Sequence, residues 1–480
     1  MPVAPKVAGP LPNRASLPLP ALARSVEAGV TLLTAPAGYL PAAHLAALLA
    51  ERGGACLWLR LGPEDRDPAT LLTTFVAALH RQQPTAGRAT LEQMRRHPGP
   101  LLGWPALFAG LAQELAALLG ADGSLVLEDC QPLGDAYQTL QLLSAYVLAA
   151  LAPGVCCILT AERALPPGML PRHTTFVDAR DLRVERRIAE ALPDAIGLEL
   201  PAATIRRVVE LADGRAGMLL ALHAATAQLG PAPIRQAIER AGTLGELQLR
   251  IARAALAMMD APERQALGLA ERLGYIHPCI REAALGSSGP LHGPWCEALD
   301  DDWTLLQPLW RAPLYQALNA PNSMNRTALE RAVAHMVELG AVDHAVLLYF
   351  ELGDRSRAAA TITRALERYV SLGHWATLEE WLSQLPAATL AEWPALVYVS
   401  GELAAAQGQL AAAQQHFSLA SRLFAARRDT AGWCQSLLAE SALAAWHGDL
   451  VRAEVRAQTA ALEARNANLL WQNGWAAWQL

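Results

Sequence analysis

The residues whose types and spacing bear on chemistry sit in one turn. Ala35-Pro36-Ala37-Gly38-Tyr39-Leu40-Pro41-Ala42 follows the apolar run Val30–Thr34 and leads into a helical stretch, Pro41–Arg52. Strand, glycine-bearing turn and helix, in that order, are how a phosphate-binding loop is built. Its backbone N–H groups cradle phosphates, a lysine reaches the outer phosphates and a Ser or Thr hydroxyl holds Mg²⁺. The pattern that does this is GxxxxGK[ST], and here its last three places hold Leu40, Pro41 and Ala42. Leu40 puts a side chain where backbone must approach phosphate. Pro41 supplies neither a cation nor an N–H, and Ala42 lacks the hydroxyl. Pro41 suits the first turn of a helix, so the local fold tolerates changes that the chemistry does not.

A second acidic element follows at Leu125-Val126-Leu127-Glu128-Asp129, an apolar strand ending in two carboxylates. In a working ATPase such a pair holds Mg²⁺ and orients water. Beside a loop without Lys or hydroxyl, the competing reading is two carboxylates at a strand end with no metal between them. Elsewhere the chain offers no Ser/His/Asp or Cys/His constellation. Its histidines, such as His44, His80, His223, His374 and His447, are scattered singly. Its seven cysteines form no CxxC pair and read as reduced, buried thiols, which leaves no metal site.

The elements that must position this loop follow from apolar runs. Val30–Thr34, Ala55–Leu61, Ser124–Leu127 and Val155–Thr160 read as strands, and Pro41–Arg52, Pro68–Arg81 and Trp104–Leu119 as helices. Strands alternating with helices imply a parallel sheet covered on both faces. Residues 1–20, rich in Pro, read as an extended lead-in. After Asp181 the strand signal fades into the helices Val184–Leu192, Ala203–Gly214 and Arg215–Leu229. Residues 245–320 mix short helices with the loop Gly286–Gly293 and a Trp-rich, hairpin-like stretch, Asp300–Trp310, which suits a winged-helix module.

From Thr327 the pattern is helical and repetitive. Gly353, Gly408 and Gly448 are each followed five residues on by Ala (Ala358, Ala413, Ala453) and twelve on by Ala again (Ala365, Ala420, Ala460). A glycine serves the turn between helices and a small alanine lets the next helix come close. A helix-pair solenoid is the expected result, and Tyr349, Trp375, Trp381, Trp393 and Trp446 are candidates for lining its recognition surface. The chain stops at Trp471–Leu480 inside an apparent repeat without a polar cap, which predicts a fragment, a partner over that end, or a final helix carrying Trp471, Trp475 and Trp478 folded onto its neighbour.

Several blocks, in order, resemble the MalT-like, LuxR-type regulators of the STAND class. Ala35–Tyr39 is similar to the start of their loop, which continues Gly-Lys-Thr. Leu57-Trp58-Leu59-Arg60-Leu61-Gly62-Pro63-Glu64-Asp65-Arg66-Asp67-Pro68-Ala69 resembles their Trp-Leu-x-Leu-x-x-x-Asp-x-Asp-Pro segment. Leu125–Leu133 resembles their acidic strand, and Ala212-Asp213-Gly214-Arg215-Ala216-Gly217 a Gly-Trp-Pro-Ala-Gly helix start with Trp and Pro lost. Gln307-Pro308-Leu309-Trp310-Arg311 is similar to a winged-helix His-Pro-Leu-Phe-Arg, and Trp375–Pro386 and Trp393–Leu410 to the first superhelical repeats. Where the family commonly reads Leu-Thr-Ser-Arg, sensing the γ-phosphate, this chain reads Leu159-Thr160-Ala161-Glu162, with Arg163 one place late.

The resemblance implies an α/β P-loop-NTPase-like domain at 1–180, an all-α helical domain at 181–250, a winged-helix-like domain at 251–322 and a TPR-like α-superhelix at 323–480. The resemblance places a nucleotide site at Gly38, Tyr39, Glu128, Asp129 and Arg163, and the departures at Leu40, Pro41, Ala42 and Glu162 make it vestigial, with no bound ATP or ADP and no hydrolysis expected. It also implies a signal-responsive transcriptional regulator whose repeats bind a small molecule or protein and whose α/β domain self-associates. Two alternatives stay open: a switch still gated by ATP, and a protein-interaction scaffold with no role in transcription.

Composition narrows the classes further. Hydrophobic residues are 52% and charged residues 18% of 480, which excludes a largely disordered chain, and the length asks for several domains. The formal net charge of −6, without a long basic run, argues that these residues do not grip DNA by themselves; a DNA contact through a module outside them is what the resemblance implies. No signal peptide is legible, and the most apolar window, Leu140–Leu159, is broken by Pro153 and Gly154. A cytoplasmic protein away from the membrane is the expectation.

Overall fold

The computed structural model describes residues 6, 10, 20–27, 29–39, 42–96, 103–166, 168–184, 201–289, 291, 293–299, 301–318 and 326–480. The chain forms two compact units, one running to Ala341 and one spanning Val342–Leu480.

The first unit is organised by a five-stranded parallel sheet: β1 Gly29–Thr34, β2 Cys56–Arg60, β3 Ser124–Glu128, β4 Cys156–Ala161 and β5 Thr175–Asp178, in spatial order β2-β3-β4-β1-β5. All six residues of β4 and four of five in β3 are buried, which is why these strands are unbroken apolar runs. The helices Ala42–Arg52, Pro68–Gln82 and Trp104–Leu119 fall where the apolar periodicity put them. The Asp-x-Asp-Pro segment explains itself locally. Asp67 caps the second of these helices by accepting from the Ala69 N–H at 2.9 Å, with Pro68 at its first position. Asp65 is fully buried, accepts from the Gly62 N–H at 2.6 Å and from Thr74 Oγ1 at 2.7 Å, and pairs with Lys6 at 2.7 Å.

β5 was not among the expected strands. Only Val177 of its four residues is buried, so this edge strand carries no apolar run to announce it. Of the expected helix Val184–Leu192 only Val184 lies within the described residues, and most of the 1–20 lead-in also lies outside them. The helices Ala202–Ala212 and Ala216–Leu229 follow.

The Trp-rich stretch needs a correction. The hairpin is Cys296–Ala298 (β7) against Thr304–Leu306 (β8), with Tyr275–Ile276 (β6) on the other side of β8. Its turn carries Asp301 and Asp302, both at positive φ, as a tight hairpin connection requires. Trp310 is instead inside the helix Pro308–Leu318, fully buried and edge-on to Trp295 at 6.1 Å. The helix Arg326–Glu338 closes the first unit.

The second unit is helical from Val342–Glu351 through Leu470–Gln479. Its last helices, Pro394–Ala406, Leu410–Ala426, Thr430–Trp446, Leu450–Asn466 and Leu470–Gln479, pack in succession. Each of the four turns between them places one residue at positive φ: Gly408, Arg428, Gly448 and Asn468, twenty residues apart. Ala358, Ala413, Ala420 and Ala460 are fully buried, as close helix approach requires. Among the described residues no helix is long and apolar enough to cross a membrane.

Candidate functional site

β1 and β4 are neighbours in the sheet, yet the chain leaves β1 for β2 at one edge and β4 for β5 at the other. That reversal opens a crevice at the C-terminal ends of the strands, where ligands of such sheets bind. A cavity of about 410 Å³ lies there, against the Ala35–Gly38 turn, the start of the helix Ala42–Arg52 and the ends of β3 and β4.

The turn is held down by the helical segment that follows the sheet. The Gly217 N–H donates to the Gly38 carbonyl at 2.8 Å. A Cβ on Gly217 would stand 2.9 Å from that oxygen, so only glycine permits the approach. Gly38 itself sits at φ +94°, with the Leu309 side chain against it. Tyr39 is buried and donates from its hydroxyl to Asp213 Oδ2 at 3.0 Å, while the Arg215 guanidinium lies 5.2 Å above its ring. Tyr39 is therefore an anchor of the turn and not a wall of the cavity. Leu40 and Pro41 lie outside the described residues; Ala42 lines the cavity and brings no hydroxyl.

The two carboxylates of the acidic strand have different surroundings. Glu128 Oε2 accepts from Trp58 Nε1 at 2.9 Å and from Arg60 Nη2 at 2.8 Å, tying β3 to β2. Burial works against the charge of Arg60, but Glu128, Glu297 and Asp129 together hold its pKa above the ordinary value. Asp129 adopts φ +60° and anchors its backbone N–H on Thr160 Oγ1 at 3.1 Å. Asp129 lines the cavity and is exposed there. Partial loss of water around its carboxyl, with Glu128 and Glu162 nearby, raises its pKa to about 6 against the pull of Arg60 and Arg311. Glu162 lines the cavity; Arg163 does not, lying on an exposed loop with its N–H on Gln131 Oε1 at 2.9 Å. Gly38, Glu128 and Asp129 thus come together, and Tyr39 and Arg163 stand apart from them.

The sequence reading missed a third carboxylate. Glu297, from β7, lines the same cavity. Burial raises its pKa to about 7, with Glu128 adding to the effect and Arg60 and the Ala43 N–H opposing it. No local signal marks it, because a single Glu in Cys296-Glu297-Ala298 reads as a solvated strand residue. Arg60 was more legible, since a charge inside the apolar strand Cys56–Arg60 requires a partner.

The aromatic candidates in the second unit divide by burial. Tyr349 and Trp381 are 4% and 2% exposed and belong to the core, with Trp381 packed 5.0 Å from Tyr369. This corrects their assignment to a recognition surface, because aromatics at helical spacing fill the space between helices first. Trp375 and Trp393 are half-buried, and Trp446 is 69% exposed.

No protein-family model matches the chain, and no curated protein matches it by sequence. Its structure matches, along 100% of its length, 69% of the crystal structure of a signal transduction ATPase with numerous domains (STAND) protein with a tetratricopeptide repeat sensor from Pyrococcus horikoshii, at TM-score 0.66 and 12% identity. The fold is shared with that protein. A parallel α/β sheet domain followed by a long helical region is the common architecture, and at that identity the likeness carries the fold and leaves the chemistry to the residues.

Proposed function

We propose that this chain is a STAND-type signalling scaffold of the MalT-like kind, in which the nucleotide site has lost ATP hydrolysis and the helical repeats receive a small-molecule or protein signal. The observation that carries this reading is the charge of the crevice. A phosphate chain needs a lysine, a hydroxyl and free N–H groups at the start of the helix after β1. Around this crevice stand Glu128, Asp129, Glu162 and Glu297, and the turn is packed under Gly217 and Leu309. Four carboxylates repel a triphosphate, and Arg60 is already engaged by Glu128.

In this reading the α/β domain is a packing and self-association module, and the protein acts in the cytoplasm. Control of transcription passes through a DNA-binding module outside these residues. The exposed Trp446, Trp471 and Trp478 support an interaction surface on the repeats, since exposed apolar clusters mark such sites. The test is phosphate release from Mg-ATP by the full chain. Release indistinguishable from a protein-free blank is expected; turnover that disappears in Asp129→Asn would overturn the reading and restore an ATP-gated switch.

A further inference from the structure

One wall of the crevice is not part of the α/β layer. Cys296, Glu297, Ala298 and Leu305, from the β7–β8 hairpin, line the cavity together with the ends of the parallel strands. This hairpin is fastened to the α/β layer at two places. Arg81, in the helix Pro68–Gln82, reaches Asp301 Oδ2 in the hairpin turn at 3.0 Å. Both side chains are partly exposed, and such a pair is worth little in water. The second fastening comes from the start of the chain. Pro10 is buried and forms an antiparallel bridge with Leu299, the buried residue that follows β7. Four residues earlier, Lys6 Nζ stands 2.7 Å from Asp65 Oδ2 and 2.5 Å from Glu64 Oε1, just ahead of the same helix.

Four residue steps of chain reach at most about 14 Å. While Lys6 stays on its carboxylates, Leu299 cannot leave the α/β layer without breaking the bridge to Pro10. The Lys6 end is the firm one. Asp65 is fully buried and Glu64 nearly so, and taking one partner out of a buried ion pair is costly. A force in the other direction is also present. The hairpin carries Glu297 towards Glu128, and burial, with Glu128 adding to it, pushes the Glu297 carboxyl up to about 7. Like charges brought together away from water repel.

We propose that Lys6 and Pro10 are the two ends of a strap: Lys6, latched on Glu64 and Asp65, holds the β7–β8 hairpin against the α/β layer through Pro10, and release of Lys6 lets this wall of the crevice swing away. The device goes beyond the function proposed above and operates whether or not nucleotide enters the crevice.

Cys296 reports the position of the wall, since it lies in β7, lines the cavity and has a thiol that burial pushes up to about 12. Iodoacetamide labelling of the full chain, followed peptide by peptide by mass spectrometry, reads its rate beside those of Cys130 and Cys157, which are fully buried in the α/β layer. Two variants release the wall in different ways. Lys6→Met removes the latch. An insert of about six Gly and Ser residues between Lys6 and Pro10 leaves both contacts possible and adds roughly 13 Å of slack. Each is expected to raise the Cys296 rate at least tenfold, with Cys130 and Cys157 unchanged. Wild-type rates at Cys296 in both variants overturn the proposal. A rise in Lys6→Met alone overturns it too, because Lys6 would then only stabilise Asp65; a rise in the insert alone would place the latch elsewhere. If Lys6→Met also speeds Cys130 and Cys157, the insert decides by itself, and a rise there shared by all three cysteines overturns the proposal.

Discussion

At the scale of single residues, the molecule separates groups that hold the fold from groups free to act. Asp65 and Asp67, two carboxylates of the Asp-x-Asp-Pro block, cap and pin the segment ahead of the helix Pro68–Gln82. Tyr39 likewise serves as an anchor on Asp213. His374 is a second case of a chemical-looking residue doing structural work. It is 5% exposed, its ring lies 4.8 Å from Tyr369, and burial, with Arg368 nearby, lowers its pKa to about 3. The folded state therefore disfavours the imidazolium that the unfolded chain accepts near 6.5. The stability tied to this residue is complete above pH 6.5 and declines as the pH falls below it, by up to about 1.4 kcal/mol per pH unit. Denaturant unfolding at pH 7.5 and 5.5 should show a loss in the wild type that is smaller in His374→Gln. Equal losses in the two proteins would mean that His374 is protonated in the fold.

At the scale of elements, apolar runs made four of the five strands legible, because β1 to β4 are buried enough to need them. β5 stayed hidden because an edge strand with one buried side chain has no run to show. The repeats were legible for the same kind of reason. Gly353, Gly408 and Gly448 mark turns that need positive φ. The intervening turns were missed because Arg428 and Asn468 adopt that conformation without being glycine, at φ +58° and +57°. A left-handed arginine costs roughly 1–2 kcal/mol, and its turn is otherwise equivalent to that at Gly408. Arg428→Gly is expected to stabilise the second unit by about 1 kcal/mol, read as a higher midpoint in urea; a lower midpoint would show that the Arg428 side chain contributes more than its backbone costs. The acidic half of the crevice was half legible. Glu128 and Asp129 end an apolar strand, whereas Glu297 reaches them from a hairpin far along the chain, and no local spacing encodes that meeting.

At the scale of the whole molecule, the architecture is shared with a STAND protein whose sequence is 12% identical. Such a fold is specified by patterning and turn chemistry, which survive when site residues change. Here the parallel sheet, the switch-point crevice and the helical repeats persist, while the turn after β1 lacks the residues that grip phosphate. On the function proposed above, the crevice holds no nucleotide. The direct measurement is thermal unfolding of the full chain with and without millimolar Mg-ATP and Mg-ADP. A ligand present at 100 times its dissociation constant adds about 2.7 kcal/mol to the state that binds it. Superimposable unfolding curves are predicted for both nucleotides. A transition moved upward by either one, and restored to its original midpoint by Asp129→Asn, would contradict the claim.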